Sequence, residues 1–163
     1  VDDFRRKSSV LPTLLIVTGA RRIEGSPYEA EARVWLTARM LVLAPDVVLY
    51  GDATGPDAWG HEFATARGIP WFRYTKRGTI ERHDGAPVRW TDQPSPAHGD
   101  NRALWGAWLL HRDRIMVQHA AKRRDRYDVR LVGLLASTPG TGGTVFTVNR
   151  ATALGIPCDV EMF

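Results

Sequence analysis

Three glycine-rich stretches carry the residues best suited to hold an anion: Gly19-Ala20-Arg21-Arg22, Gly51 to Asp57, and Thr138-Pro139-Gly140-Thr141-Gly142-Gly143-Thr144. Glycine lets backbone amides come close to an oxyanion. A helix opening near Thr144 would aim its free amides and the positive end of its dipole at the same point. Pro139 to Thr144 holds three glycines and two threonines in six residues, so its amides and hydroxyls suit phosphate or ribose. Arg21 and Arg112 offer planar donor forks that pair with phosphate. Asp57 opens a helix, where a carboxylate either caps free amides and favours the dipole or takes a ribose hydroxyl or a base. His61 follows one helical turn after Asp57, within reach of a hydrogen bond to it or simply on the helix face.

The elements that must position these residues follow from periodicity. Leu14-Leu15-Ile16-Val17 is a short aliphatic run ending at Thr18-Gly19, which predicts a strand buried on both faces and entering a tight turn. Ser26-Pro27-Tyr28-Glu29 reads as an N-cap, a proline at the first helical position and a capping-box glutamate. The helix it opens has apolar residues at Ala32, Trp35, Leu36, Met40 and Leu43 and stops at Pro45. Asp46 to Tyr50 repeats the buried-strand pattern and runs into the Gly51 to Asp57 turn, with a second helix ending at Gly68. Further strands are expected at Ile69 to Tyr74, Val129 to Ala136 and Ile156 to Val160, and a helix from about Asn101 to Lys122. Strands alternating with helices imply an α/β fold of three layers, with a central, mostly parallel sheet of about five strands covered on both faces. In such a sheet the ligand crevice lies beyond the carboxyl ends of the strands, where the three glycine-rich loops fall.

One segment resists this reading. From about 75 to 100 the chain carries three prolines, Pro87, Pro94 and Pro96, and no clear period. A connection this long inside a domain reads as a functional lid or an insertion. His83, Asp84, His98 and Asp100 lie in it, but their spacing matches no metal site, and neither a metal nor a cofactor is expected.

A length of 163 residues predicts a single domain, and 44% hydrophobic with 25% charged residues excludes wholesale disorder. The apolar runs are far shorter than the roughly 20 residues a bilayer requires, so no membrane partner is expected. The start lacks the apolar centre of a secretory signal, and a lone cysteine, Cys158, suits a reducing cytoplasm. Between Arg112 and Arg126 six cations meet two anions, which accounts for the net charge of +4. Such a cluster suits an anionic ligand or nucleic acid, or is a solvated helix end.

Taken in order, Val17-Thr18-Gly19-Ala20-Arg21, Gly51-Asp52-x-x-Gly55-x-Asp57, Arg112-Asp113-Arg114-Ile115-Met116, Pro139-Gly140-Thr141-Gly142-Gly143-Thr144 and Ala153-Leu154-Gly155-Ile156-Pro157 resemble the SLOG superfamily, and most nearly its YspA and YpsA-related branch. The resemblance covers about Leu14 to Val160 and leaves the 75–100 segment unmatched. It implies a Rossmann-like fold that binds a nucleotide or nucleotide derivative, in several branches as a signal. Gly140 to Thr144 and Gly19 to Arg21 would hold phosphate, Arg112 would neutralise it and Asp57 would contact ribose, with Ala20, Gly51, Asp52 and Gly55 in the loops around them.

The superfamily also includes phosphoribohydrolases with the pattern Pro-Gly-Gly-x-Gly-Thr-x-x-Glu and an upstream helical arginine. Arg112 matches that arginine, but Thr147 stands in place of the glutamate and Thr141 in place of the second glycine. Cleaving an N-glycosidic bond needs a carboxylate, which Asp57 or Glu62 would have to supply. DprA-like binding of single-stranded DNA is a third possibility, through Arg112 to Arg126 with a tryptophan such as Trp59 or Trp90 stacking on a base. The apolar helix residues Leu104 to Leu110 suggest a homodimer.

Overall fold

The aliphatic run Leu14 to Val17 is fully buried, and its alternate side chains enter two different cores. This strand is β1 (Thr13–Gly19) of a computed structural model that describes residues 11–97, 101–137 and 143–163. A turn of 3-10 helix (Arg21–Ile23) is followed by α1 (Glu29–Leu43), β2 (Val47–Gly51), α2 (Pro56–Ala66), β3 (Trp71–Tyr74), β4 (Thr79–Arg82) and β5 (Gly85–Arg89). Then come α3 (Arg102–Ala121), β6 (Asp128–Leu135), α4 (Gly143–Ala153) and β7 (Cys158–Met162).

The fold is α/β, built on a single mixed sheet in the order β5-β4-β3-β2-β1-β6-β7. β3, β2, β1, β6 and β7 run parallel, with Leu14 level with Val47 on one side and Val129 on the other. Because side chains alternate along a strand, Leu14 and Ile16 meet Met116 and Val117 of α3 and Ala151 of α4. Leu15 and Val17 meet Leu36 and Met40 of α1 and Trp59 and Ala64 of α2. Helices thus cover both faces, which is why β1 and most of β6 are apolar without alternation.

The described residues form seven strands rather than about five. The two extra strands come from the segment expected to be a lid or insertion: β3–β4 and β4–β5 pair antiparallel and extend the sheet at one edge. Pro87, one of the three prolines of that segment, sits in the outermost strand, the position in a sheet where proline is tolerated. The hairpin is anchored through its far end. Trp90 Nε1 donates to the Thr75 carbonyl at 2.8 Å and Trp108 Nε1 of α3 donates to the Lys76 carbonyl at 2.6 Å. The two indoles pack with ring centroids 4.8 Å apart.

The start of α1 also differs from the expected cap. The helix begins at Glu29, not after Ser26; Ser26 Oγ accepts from the Tyr28 N–H, and the Glu29 carboxylate reaches back to the Gly25 N–H at 2.8 Å. These bonds hold the turn between the 3-10 helix and α1 in place of the expected capping box. At the start of α3 the Asn101 side chain accepts from the Leu104 N–H, a conventional N-cap.

Candidate functional site

β1 leads to a helix on one face of the sheet and its neighbour β6 to a helix on the other, so the chain diverges where these strands end. A crevice opens at such a point. Here it is a cleft of about 790 Å³, bounded by the loops after β1 and β2, the middle of α3 and the first turn of α4. Gly19, Ala20, Arg21, Gly51, Asp52, Asp57, Arg112, Gly143 and Thr144 all line it. Gly55 does not, and Pro139, Gly140, Thr141 and Gly142 lie outside the described residues.

Several expected anion contacts have structural duties instead. The Ala20 N–H is committed to the Leu134 carbonyl at 2.9 Å, prolonging the β1–β6 ladder. A Cβ on Gly19 would fall 2.3 Å from Pro56 Cγ, so its missing side chain lets the start of α2 press against the end of β1. Gly55 has φ +81, the left-handed region that favours glycine, and its Cα faces Arg21 closely enough that a Cβ would sit 3.1 Å from the Arg21 Cα. It braces the two loops against each other.

The floor of the cleft is an ion cluster. Arg112 is buried; its Nε and Nη2 donate to Asp113 Oδ1 at 3.0 and 2.9 Å, and its Nη1 donates to Asp52 Oδ1 at 2.6 Å. The other Asp52 oxygen accepts the Lys76 N–H at 3.0 Å, tying the loop after β2 to the end of β3. Arg112 was expected to turn its fork to phosphate, yet three of its N–H groups are engaged by carboxylates of this chain. Desolvation would lower its pKa, but Asp113, Asp57 and Asp52 outweigh this and keep it charged.

Asp57 stands on the first turn of α2, 5% exposed, with Oδ2 accepting a long 3.3 Å bond from the Ala53 N–H. Burial pushes its pKa up to about 7; Arg112 pulls the other way, and the neighbouring Asp113 and Asp52 add to the rise. Asp113 is raised as well, chiefly by burial and against the pull of Arg112 and the Thr147 hydroxyl. Three carboxyls thus surround one guanidinium, and burial opposes the ionisation of two of them, Asp57 and Asp113. At the rim, by contrast, Arg21, Arg22 and Lys76 border the cleft.

Asp113 and Lys76 were given no role from sequence. The available signal for Asp113 was an Arg-Asp pair set among Leu109, Leu110, Ile115 and Met116, where charge has to be compensated to be buried. Its burial depends on a tertiary contact: a Cβ on Gly143 would come within 2.9 Å of Asp113 Oδ2, so a glycine at the start of α4 makes way for the carboxyl.

Other expectations are redirected. His61 does not bond Asp57; its Nδ1 pairs with the Tyr50 hydroxyl at 2.5 Å. Glu62 is exposed, pairs with Arg33 at 3.3 Å and takes no part in the cleft lining. Trp59 is buried beneath the Arg33 guanidinium and Trp90 is buried against Trp108, so neither presents a face to a base. Among the described residues, no group of three His, Cys, Asp or Glu is placed to hold a metal ion, and no helix is long and apolar enough to cross a membrane. Comparison with family models, with curated proteins and with solved structures found no match to this chain.

Proposed function

We propose that this cleft binds a nucleotide or a nucleotide-derived ligand, as the SLOG resemblance implies, on a Rossmann-like fold. The observation that carries the reading is the convergence of the loops after β1 and β2 and the N-terminus of α4 on one cleft with an acidic floor and a basic rim. A ligand suited to that polarity has an anionic end and an end rich in hydroxyl or amino donors, which is the make-up of a nucleoside phosphate. The phosphate lies toward Thr144, the free amides of the first turn of α4, Arg21 and Lys76. The sugar or base lies on the Asp52, Asp57 and Asp113 floor, and Arg112 serves to hold that floor together. Calorimetric titration with AMP, ADP-ribose and cyclic nucleotides tests this. Saturable binding of at least one supports it, and no heat from any of the panel overturns it.

One observation favours a second reading, hydrolysis of an N-glycosidic bond. Asp57, with a pKa near 7, is able to hold or release a proton at neutral pH, as a general acid or base must. With Glu62 outside the cleft, the carboxylate absent at Thr147 would come from Asp57 or from Asp113 beside that threonine. Free base released from a nucleoside monophosphate, and lost in Asp57→Asn, supports turnover; binding without release leaves a sensor. Burial of Trp59 and Trp90 removes the stacking platform on which the single-stranded DNA alternative relied.

A further inference from the structure

Glycine inside a helix needs a reason, because every residue except proline forms helix more readily. Gly106 lies within α3, and its φ is not among the positive values found at five other glycines. A Cβ on it would meet no atom within 4 Å. Neither backbone conformation nor packing within the described chain therefore asks for glycine there. What lies beside Gly106 is open space, and Gly106 borders the cleft.

The same stripe of α3 reaches down to the acidic floor. Asp113 lies two turns on, with Leu109 and Leu110 between, and all four line the cleft. Residues three and four apart share a helix face, and at about 1.5 Å per residue the stretch from Asp113 to Gly106 runs about 10 Å. Above the carboxyls the cleft thus turns apolar. On α4 the apolar lining continues with Val145 and Phe146, the latter the aromatic side chain among the described lining residues. Leu110 is 36% exposed and Val145 47%, so apolar area is left open here. One turn after Val145, the exposed Asn149 amide offers a donor and an acceptor at the same surface. A phosphate gains nothing from such a lining. A flat ring with apolar faces and a polar edge does, since its face can lie on an aromatic side chain and its edge can meet an amide.

We propose that the α3–α4 side of the cleft is the subsite for a heterocyclic base, held against the bare helix surface at Gly106 and the Phe146 ring, with Asn149 at its edge. The inference rests on the nucleotide-binding reading and places the base away from the acidic floor.

The test is calorimetry of the full chain with AMP, cyclic AMP, ADP-ribose and ribose 5-phosphate. The tightest adenine ligand is expected to bind about 10- to 100-fold more tightly than ribose 5-phosphate, the range for one stacked base. Gly106→Leu fills the subsite, so it brings that ligand to within a few-fold of ribose 5-phosphate and leaves ribose 5-phosphate unchanged. Because leucine is the better helix former, the urea midpoint holds or rises, which separates lost binding from lost structure. Phe146→Leu removes the aromatic face and lowers the same ratio; it decides the matter if Gly106→Leu does not fold. Ribose 5-phosphate bound as tightly as the adenine ligands overturns the subsite, as does a ratio unchanged in the variants. A change of oligomeric state in Gly106→Leu, with adenine binding intact, assigns this surface to a second copy of the chain and also overturns it. Binding of none of the four ligands overturns the nucleotide reading together with the subsite.

Discussion

Replacing Asp57 with asparagine should stabilise the free protein, and only above mildly acidic pH. In the unfolded chain the carboxyl titrates near the ordinary 3.8, whereas in the folded protein it is pushed to about 7 by burial. Between those values the unfolded chain has released a proton that the folded chain retains, so stability falls as pH rises. The penalty is absent below the lower value and complete above the upper. A rise of about three pKa units at about 1.4 kcal/mol each sets an upper bound of about 4 kcal/mol. At 5% exposure the group is too buried for solvent screening to reduce this greatly. Asparagine keeps the shape and cannot ionise. In urea titrations from about pH 4 to pH 8, Asp57→Asn should match the parent at the acid end and gain stability progressively toward the alkaline end. Asp113 is raised in the same direction, so some slope should persist in the variant. Parallel pH profiles for the two proteins, or a variant less stable at about pH 8, would refute the reasoning.

Removing Arg112 has the opposite sign: Arg112→Met strands Asp52 and Asp113 without their cation, at a cost of about 3 to 5 kcal/mol in denaturant unfolding. If stability is unchanged, the ion cluster does not hold the floor together. Gly19→Ala forces a methyl group into Pro56 and should destabilise by about 1 to 3 kcal/mol, with a shift in the chemical environment of α2 visible by NMR. Trp90→Phe loses the bond to the Thr75 carbonyl, which keeps the Gly78 N–H at 3.2 Å, so the cost should be about 0.5 to 1.5 kcal/mol, that of one hydrogen bond. Hydrogen exchange should then speed up in β4 and β5 before the parallel strands, and uniform acceleration would mean that the hairpin is not separately anchored.

The central elements were legible because they are over-specified locally. The run Leu14 to Val17 has no polar face to offer solvent, so it must be a strand covered twice, and the glycines and prolines at Gly19, Pro45, Gly51, Gly68 and Gly155 punctuate the chain where its elements end. The strand-terminal location of the glycine-rich loops follows from that order alone, and nine of the fourteen residues expected at the site do line one cleft. The hairpin of β4 and β5 was not legible. Its strands are four and five residues long, one contains a proline, and only the edge of β3 and the Trp90–Trp108 contact make them a sheet.

Residue types by themselves determined that an arginine, aspartates and the glycine-rich turns after β1 and β2 would gather at one end of a mostly parallel sheet. Tertiary structure alone decided what they do to one another. It set Asp113 against Arg112 under Gly143, turned His61 toward Tyr50, made Gly19 a packing contact with Pro56 and committed the Ala20 amide to Leu134. The physical reason is that a charge's partner and the water around it are properties of three-dimensional distance and burial. Arg112 and Asp52 are 60 residues apart in the chain and 2.6 Å apart in space.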